Sequence, residues 1–164
     1  MRKSLALALI LPALALPFAG CGTGAGIPTP PACLTTPEIW MTALAQAPDQ
    51  VLIEGDSKIS ECLPADQTAA HQEEVGRTAV EVATRLATFT KASGKDGDFE
   101  SSVEAAMMAG YLVGAIEKAA EETEGIHATL VSRVEAAATN GLQGASPKIR
   151  RTYEKGYEAG RETG

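Results

Sequence analysis

The chain has 164 residues, of which 45% are hydrophobic, 4% aromatic and 21% charged, and 21 acidic against 14 basic side chains give a net charge of −7. This acidic balance argues against nucleic acid as a partner, because phosphate binding requires clustered Lys and Arg side chains. The length suits one globular domain, and no apolar run beyond the N-terminal leader reaches the ~20 residues of a membrane-spanning helix.

Residues 1–20 have the pattern of a removable signal peptide. Arg2 and Lys3 form a cationic start, and the 14 residues from Leu5 to Phe18 form an apolar stretch. This stretch has the size of a signal-peptide core and is too short to span a membrane comfortably. Removing the leader takes away two basic residues, so the net charge of the remaining chain falls to −9.

The leader ends in Phe18-Ala19-Gly20-Cys21, an apolar residue and two small residues before a Cys. This sequence resembles the lipobox of bacterial lipoprotein precursors, although Phe18 stands where Leu is usual. The resemblance implies cleavage before Cys21, diacylation of the Cys21 thiol with chains such as palmitate, and a mature protein held on a membrane by this lipid. An ordinary secretory leader, cleaved for instance after Ala15, is the alternative.

A lipid on Cys21 would place the protein on the cell membrane or the outer membrane, facing the periplasm or the exterior. Gly22 stands where Asp is commonly linked to inner-membrane retention, so outer-membrane delivery is expected in a bacterium with two membranes. Residues 21–32 are rich in Gly and Pro and predict a flexible, extended tether. The folded domain is then predicted to comprise residues 33–164.

Lipidation of one Cys would leave Cys33 and Cys62 as a pair. An exported chain lies in a compartment that permits disulfides, so the sequence predicts a Cys33–Cys62 disulfide. Closing the loop of about 30 residues between them would stabilise the folded chain by roughly 3–4 kcal/mol in the chain-entropy model. Free buried thiols and a metal-binding pair are the alternatives.

The first helix is predicted from a capping-box pattern. Thr35 and Glu38 are three residues apart, with Pro37 in the first turn, and the helix should run to Ala47. Residues 50–53 are too few to distinguish a strand from a single helical turn.

A second helix is predicted over residues 65–92. Five apolar residues recur there at spacings of four, three, four and three, which predicts one buried face. These residues are Val75, Ala79, Val82, Leu86 and Phe89.

The central helix of the fold is predicted over residues 98–123, with Asp98 as its cap, because its middle is apolar on nearly every side. Ala106, Gly110 and Gly114 are spaced four apart. We expect close approach of a neighbouring helix there, which would offset the low helix propensity of Gly. An interhelical ligand pocket is the alternative, and its candidate lining residues are Met107, Met108, Tyr111 and Leu112.

Two further helices follow a break at Gly125. The first is predicted from an apolar stripe. The second begins at Ser146-Pro147 and contains the pattern Tyr-Glu-x-Gly twice. On a helix, this repeat places the two Tyr side chains along one line and the two Gly residues along another. This last helix is locally basic and indicates a closing helix, a partner-facing helix or a contact with anionic lipid. The stripe residues of the first helix are Ile126, Leu130, Val134 and Ala137.

One short segment resembles an enzyme family. Gly55-Asp56-Ser57 after an apolar stretch is similar to the first block of the GDSL/SGNH esterases, in which the Ser is the nucleophile. The resemblance implies a hydrolase that uses Ser57 with His127 as its base and Glu124 in place of Asp. The family's Gly-x-Asn-Asp block and its run of parallel strands have no counterpart in this sequence.

No metal or cofactor is expected. Glu124 and His127 have the spacing of one ligand pair in carboxylate-bridged di-iron bundles, but such bundles need the motif twice, and His71 and Glu74 occur in the reverse order. There is no Cys-x-x-Cys-His haem motif and no Gly-rich phosphate loop.

These patterns predict an all-α bundle of four to five helices with one disulfide, behind a signal peptide and tether. The leading hypothesis is a non-enzymatic, lipid-anchored module of the cell envelope that binds a protein or a small molecule. A small-ligand carrier with an interhelical pocket and a hydrolase using Ser57 and His127 are the alternatives.

Overall fold

The computed structural model describes residues 28–96 and 98–164, so the predicted leader and Cys21 lie outside the described residues. The fold is all-α, as predicted, and the Cys33–Cys62 disulfide is confirmed, with a Cα–Cα distance of 5.3 Å. The helices are α1 (Pro37–Leu44), α2 (Ala69–Asp96), α3 (Phe99–Glu122), α4 (Ala128–Thr139) and α5 (Pro147–Thr163).

The folded part begins before the predicted boundary at residue 33. Thr29 is buried, and its hydroxyl accepts a hydrogen bond of 2.9 Å from the Gln67 side-chain amide. Ala32 is also buried in the single turn of 3-10 helix formed by Pro31–Leu34. The last residues of the predicted tether therefore pack on the domain beside the disulfide.

The start and end of α1 differ from the prediction. Thr36 is the N-cap, and no side chain caps the helix, because the Thr35 hydroxyl donates instead to the Ala32 carbonyl at 2.7 Å. The helix ends at Leu44, three residues earlier than predicted, ahead of a cis Ala47–Pro48 peptide bond. The buried face of α1 contains Trp40, Ala43 and Leu44.

The segment after α1 forms a short antiparallel hairpin, with β1 (Leu52–Ile53) paired to β2 (Ser57–Lys58). Glu54 and Gly55 adopt positive φ angles of 53° and 74° at its turn. The residues that could not be classified from sequence thus include a two-residue strand.

One face of α2 is buried as predicted, except at its last position. Val75, Ala79, Val82 and Leu86 are all at most 1% exposed, whereas the Phe89 side chain is 50% exposed, so the prediction for Phe89 is wrong. The stripe continues four residues after Leu86 rather than three. Thr90 is the buried residue there, and its hydroxyl donates to the Leu86 carbonyl at 2.9 Å.

The central position of α3 is confirmed. Asp98 caps it by accepting a hydrogen bond of 3.1 Å from the Ser101 backbone amide, and every residue from 109 to 116 is buried. Helices α2, α4 and α5 all pack against α3, and α5 makes the most extensive contact. Burial on every side accounts for the absence of charged side chains from residues 109–116.

Four glycines form the contact between α3 and α5. A Cβ added at Gly110 or Gly114 would overlap the backbone of α5 at Tyr153 and Tyr157, and one added at Gly156 or Gly160 would overlap the backbone of α3. The predicted close approach is therefore confirmed, with backbone against backbone. Because the contacts advance together along both chains, α3 and α5 run parallel.

The break before α4 is confirmed and displaces one predicted core residue. Gly125 has φ +80° and Glu124 has φ +54°, so the chain turns sharply here, and α4 begins only at Ala128. Ile126 precedes the helix and is 57% exposed, so its predicted place in the buried stripe is wrong. Leu130 and Val134 are buried as predicted.

No helix within residues 28–96 and 98–164 combines the length and the apolar character needed to cross a membrane. The described helices instead surround one hydrophobic core, which extends from Ala32 to Ala138 along the chain.

An ion-pair cluster on the surface joins α1 to α2. The Arg85 guanidinium lies 2.6 Å from the Glu38 carboxylate on α1 and 2.6 Å from the Glu81 carboxylate one turn away on α2. The hydrogen bond from Arg85 lowers the pKa of Glu38 from its ordinary value of 4.5 to about 2. The Glu38 carboxylate is thus charged in the folded chain well into the acidic range.

This pKa gives a pH prediction. Because the folded value lies below the ordinary one, the stabilisation by Glu38 is fully present above pH 4.5 and is lost as pH falls through about 2. NMR titration of the Glu38 carboxyl should give a midpoint of about 2, and Arg85→Gln should return it towards 4.5. The matched variant Arg77→Gln, also on α2, should leave the midpoint in place. An equal midpoint in wild type and Arg85→Gln would contradict the pairing.

Candidate functional site

The tyrosines of the repeated Tyr-Glu-x-Gly pattern lie beside the glycine contact. The Tyr157 hydroxyl donates a hydrogen bond to the carboxylate of Glu117 on α3. The Arg161 guanidinium, one turn further along α5, lies 3.0 Å from Glu117 and 2.8 Å from Glu121. Four polar side chains, two on α5 and two on α3, therefore connect the two helices along one edge.

A cleft opens next to this polar network, where α3, α4 and α5 meet. It has a volume of about 270 Å³, and Tyr153 and Tyr157 form one wall. Glu117 of α3 and Glu135 of α4 also line it. We call this site the tyrosine cleft, and its remaining lining residues are Val113, Val131 and Thr139.

Burial and the neighbouring carboxylates both affect the tyrosines of the cleft. Burial, followed by the negative charge of Glu135 and the neighbouring Tyr157 and Glu117, raises the pKa of Tyr153 far above its usual range. Burial and the hydrogen bond with Glu117 also raise the pKa of Tyr157. Both tyrosines are thus neutral phenols at physiological pH, and the Tyr157 hydroxyl is engaged with Glu117.

Glu135 differs from the other carboxylate of the cleft. Glu117 is engaged by Tyr157 and Arg161, whereas Glu135 is exposed and forms no ion pair with any Lys, Arg or His in the part of the chain that the structure describes. Its carboxylate is therefore available to a ligand without first breaking a contact.

A second depression continues from the cleft along α3 and α4. It has a volume of about 550 Å³ and shares Glu117 and Val131 with the tyrosine cleft. Its lining includes the apolar residues Ala120 and Ala128 and the carboxylates of Glu121 and Glu124. We call it the α3–α4 groove.

The four residues proposed from sequence as a pocket lining lie on α3, where α5 covers part of the same surface. Tyr111 and Leu112 are fully buried, and Met107 and Met108 are half-buried. The backbone carbonyls of Met107 and Tyr111 are contacted by Gly156 and Gly160, so helix backbone occupies this space.

Tyr111 also has a structural role that its sequence position did not indicate. Its hydroxyl accepts a hydrogen bond of 3.1 Å from the Val51 backbone amide and lies 2.9 Å from the Thr163 hydroxyl. These two bonds join the segment before β1 to α3 and α5. The polar tip of a buried aromatic side chain is thereby satisfied.

Ser57 and His127, the residues of the esterase hypothesis, are not hydrogen-bonded to each other. Ser57 is buried, and its hydroxyl donates to the Asp56 carboxylate at 3.0 Å. The Nδ1 atom of His127 lies 3.2 Å from the Gln72 side-chain amide nitrogen, and its Nε2 atom is buried without a hydrogen-bond partner. The geometry therefore adds no support for a Ser57–His127 nucleophile and base.

Within the described part of the chain, His127 also has no set of carboxylate partners suited to a metal. Among residues 28–96 and 98–164, no group of three or more His, Cys, Asp or Glu side chains is arranged to hold a metal ion. His127 instead serves as the N-cap residue of α4 and is buried against the start of α2.

No protein-family model, curated protein or solved structure matches this chain.

The network around Arg161 yields a stability prediction. Arg161→Gln removes both ion pairs to α3 and should lower the free energy of unfolding only slightly, because solvent screens a guanidinium that is partly exposed. Amide hydrogen exchange in the last two turns of α5 should accelerate. Arg151→Gln is the matched control, since Arg151 is exposed on the same helix and forms no ion pair with a described residue. Equal losses in urea denaturation of the two variants would contradict this role.

Proposed function

We propose that this protein is a lipid-anchored, non-enzymatic binding module of the bacterial cell envelope, and that the tyrosine cleft is its binding surface. The cleft carries the proposal, because it combines two neutral phenols with a free carboxylate at the junction of three helices. Concave sites with apolar walls and a few placed polar groups are where small ligands bind in proteins. The similarity of residues 18–21 to a lipobox supports the anchor.

The short tether limits where such a module can act. The first buried residue that the structure describes is Thr29, eight residues after Cys21, and an extended chain of that length reaches about 27 Å. A lipid on Cys21 would therefore keep the disulfide end of the domain close to the headgroups. With two or more acyl chains the attachment would be stable rather than transient.

The ligand carrier proposed from the sequence is a variant of the same function. The small volume of the cleft, about 270 Å³, favours a small ligand over a protein segment. A hydrolase using Ser57 and His127 is the less favoured candidate, since those side chains have other hydrogen-bond partners.

The anchor is tested by Cys21→Ser. The wild-type chain, expressed in a bacterium, should partition with membranes and carry the mass of attached acyl chains, whereas Cys21→Ser should appear in the soluble fraction or remain as an unprocessed precursor without lipid. The double variant Cys33→Ser/Cys62→Ser is the control for thiol removal and should still be lipidated. Intact mass spectrometry of each fraction measures the outcome. Membrane-bound Cys21→Ser of leader-free mass would overturn the lipid anchor.

A further inference from the structure

We propose that His127 makes the packing of α4 on α2 sensitive to pH: a neutral imidazole holds the contact, and mild acid loosens it by supplying a proton. This inference goes beyond the proposed function, because it requires neither the lipid anchor nor a ligand. Three properties of His127 lead to it: the burial of its ring, the partners of its two nitrogen atoms and its place at the start of a helix.

His127 lies where the start of α4 meets the start of α2. The residue is only 2% exposed, so its ring is almost completely shielded from water. Leu130 of α4 packs beside Gly76 of α2 one turn further along both helices. The ring is therefore the first contact of the α2–α4 interface.

The two ring nitrogen atoms share a single hydrogen-bond partner. The Nδ1 atom lies 3.2 Å from the side-chain amide nitrogen of Gln72, which can donate to it when Nε2 carries the ring hydrogen. The Nε2 atom is buried and has no partner among the described residues. An unpartnered buried polar atom is rare in folded proteins and calls for a physical explanation.

A second proton would turn both ring nitrogen atoms into donors and give the ring a positive charge. Turning the Gln72 amide over could satisfy Nδ1 alone, since that side chain contacts only one edge of the ring. The Nε2–H group would still lack an acceptor. Burying a charge without full hydrogen bonding is strongly unfavourable, so the ring should take up its proton only after leaving this contact.

The place of His127 on α4 disfavours the charge for a second reason. His127 is the N-cap residue, and its backbone carbonyl accepts hydrogen bonds from the backbone amides of Leu130 at 2.9 Å and Val131 at 3.1 Å. The N-terminus of a helix carries a partial positive charge, which repels a cationic imidazolium. Protonation is therefore opposed both by the burial of the ring and by the helix that begins at it.

The charged side chains around His127 oppose this effect only weakly. No carboxylate of a described residue lies within ion-pair distance of either ring nitrogen. Attraction from carboxylates further away is screened by water and salt, whereas the missing acceptor acts at contact distance. The titratable groups on the three elements that meet here are His71, Glu73, Glu74 and Arg77 of α2, Glu122 and Glu124 at the end of α3, and Arg133 of α4.

Loosening of α4 would also reach the tyrosine cleft. Helix α4 contributes Val131, Glu135 and Thr139 to the lining of the cleft, whereas His127 does not line it. Mild acid would thus change the shape of the cleft through a residue outside it.

The experiment is native-state hydrogen exchange of the purified full chain in a neutral detergent, followed by NMR and corrected for the intrinsic exchange rate at each pH. An imidazole released into water takes up its proton near pH 6.5. Between pH of about 7.5 and about 5.5, the opening equilibrium constant at the Leu130 and Val131 amides should therefore rise up to about 10-fold. Carboxylates of ordinary pKa stay ionised across this range and contribute little.

Two variants separate His127 from the other histidine of the chain. His127→Asn keeps a polar N-cap residue that cannot become charged, so its opening constant should change about 2-fold or less between the two pH values. His71→Asn is the matched control, because His71 is half-buried on α2 and is the only other histidine. It should keep the full pH dependence. Each variant is compared with itself at the two pH values, so a change in its overall stability does not affect the result.

Two outcomes would overturn the proposal: a wild-type opening constant that does not change with pH, or an equal pH dependence in wild type and His127→Asn. If His127→Asn fails to fold, NMR of the wild-type ring decides. In the folded chain the His127 ring should keep the signals of a neutral imidazole at pH of about 5.5. A protonated ring in a chain whose α4 amides are unchanged would contradict the mechanism. None of these outcomes depends on lipid at Cys21 or on a ligand in the cleft, so failure here leaves the proposed function untouched.

Discussion

Direct contact between the backbones of α3 and α5 is possible only because glycine occupies two positions on each helix. At Gly110 and Gly156, the Cα–H bond that a side chain would replace points at a carbonyl oxygen of the opposite helix. Such Cα–H···O contacts recur at close helix–helix interfaces. Each Gly costs about 1 kcal/mol of helix propensity relative to Ala. The close packing and the bonds made around it must offset this cost.

The same contact fixes the geometry of the cleft. With the glycines facing α3, Tyr153 and Tyr157 are turned towards α4, and Arg161 reaches the carboxylates of α3. Tyr111 adds a hydrogen bond to Thr163 from the same helix pair. The aromatic wall of the cleft is therefore positioned by backbone packing, so a ligand would meet side chains whose places are set before it binds.

Local patterns in the sequence predicted the parts of the fold that depend on local interactions. Asp98 accepts the capping hydrogen bond that its position indicated, and Ser146, at the predicted start of the last helix, accepts one from the Ile149 backbone amide. Phe89 was misplaced because a spacing of three or four residues is equally helical, and only the neighbouring helices decide which face is covered. The cleft was missed because Glu117 and Glu135 lie on different helices and meet only through tertiary packing.

The free energy of unfolding of Gly156→Ala, compared with Gly76→Ala, tests most directly whether the glycine contact holds the fold. A methyl group at Gly156 would overlap the backbone at Met107, whereas one at Gly76 would make ordinary contact with Leu130 at 3.4 Å. Urea denaturation should show a loss of about 2 kcal/mol or more for Gly156→Ala, and no loss or a gain of up to about 1 kcal/mol for Gly76→Ala. Equal stabilities of the two variants would contradict the account.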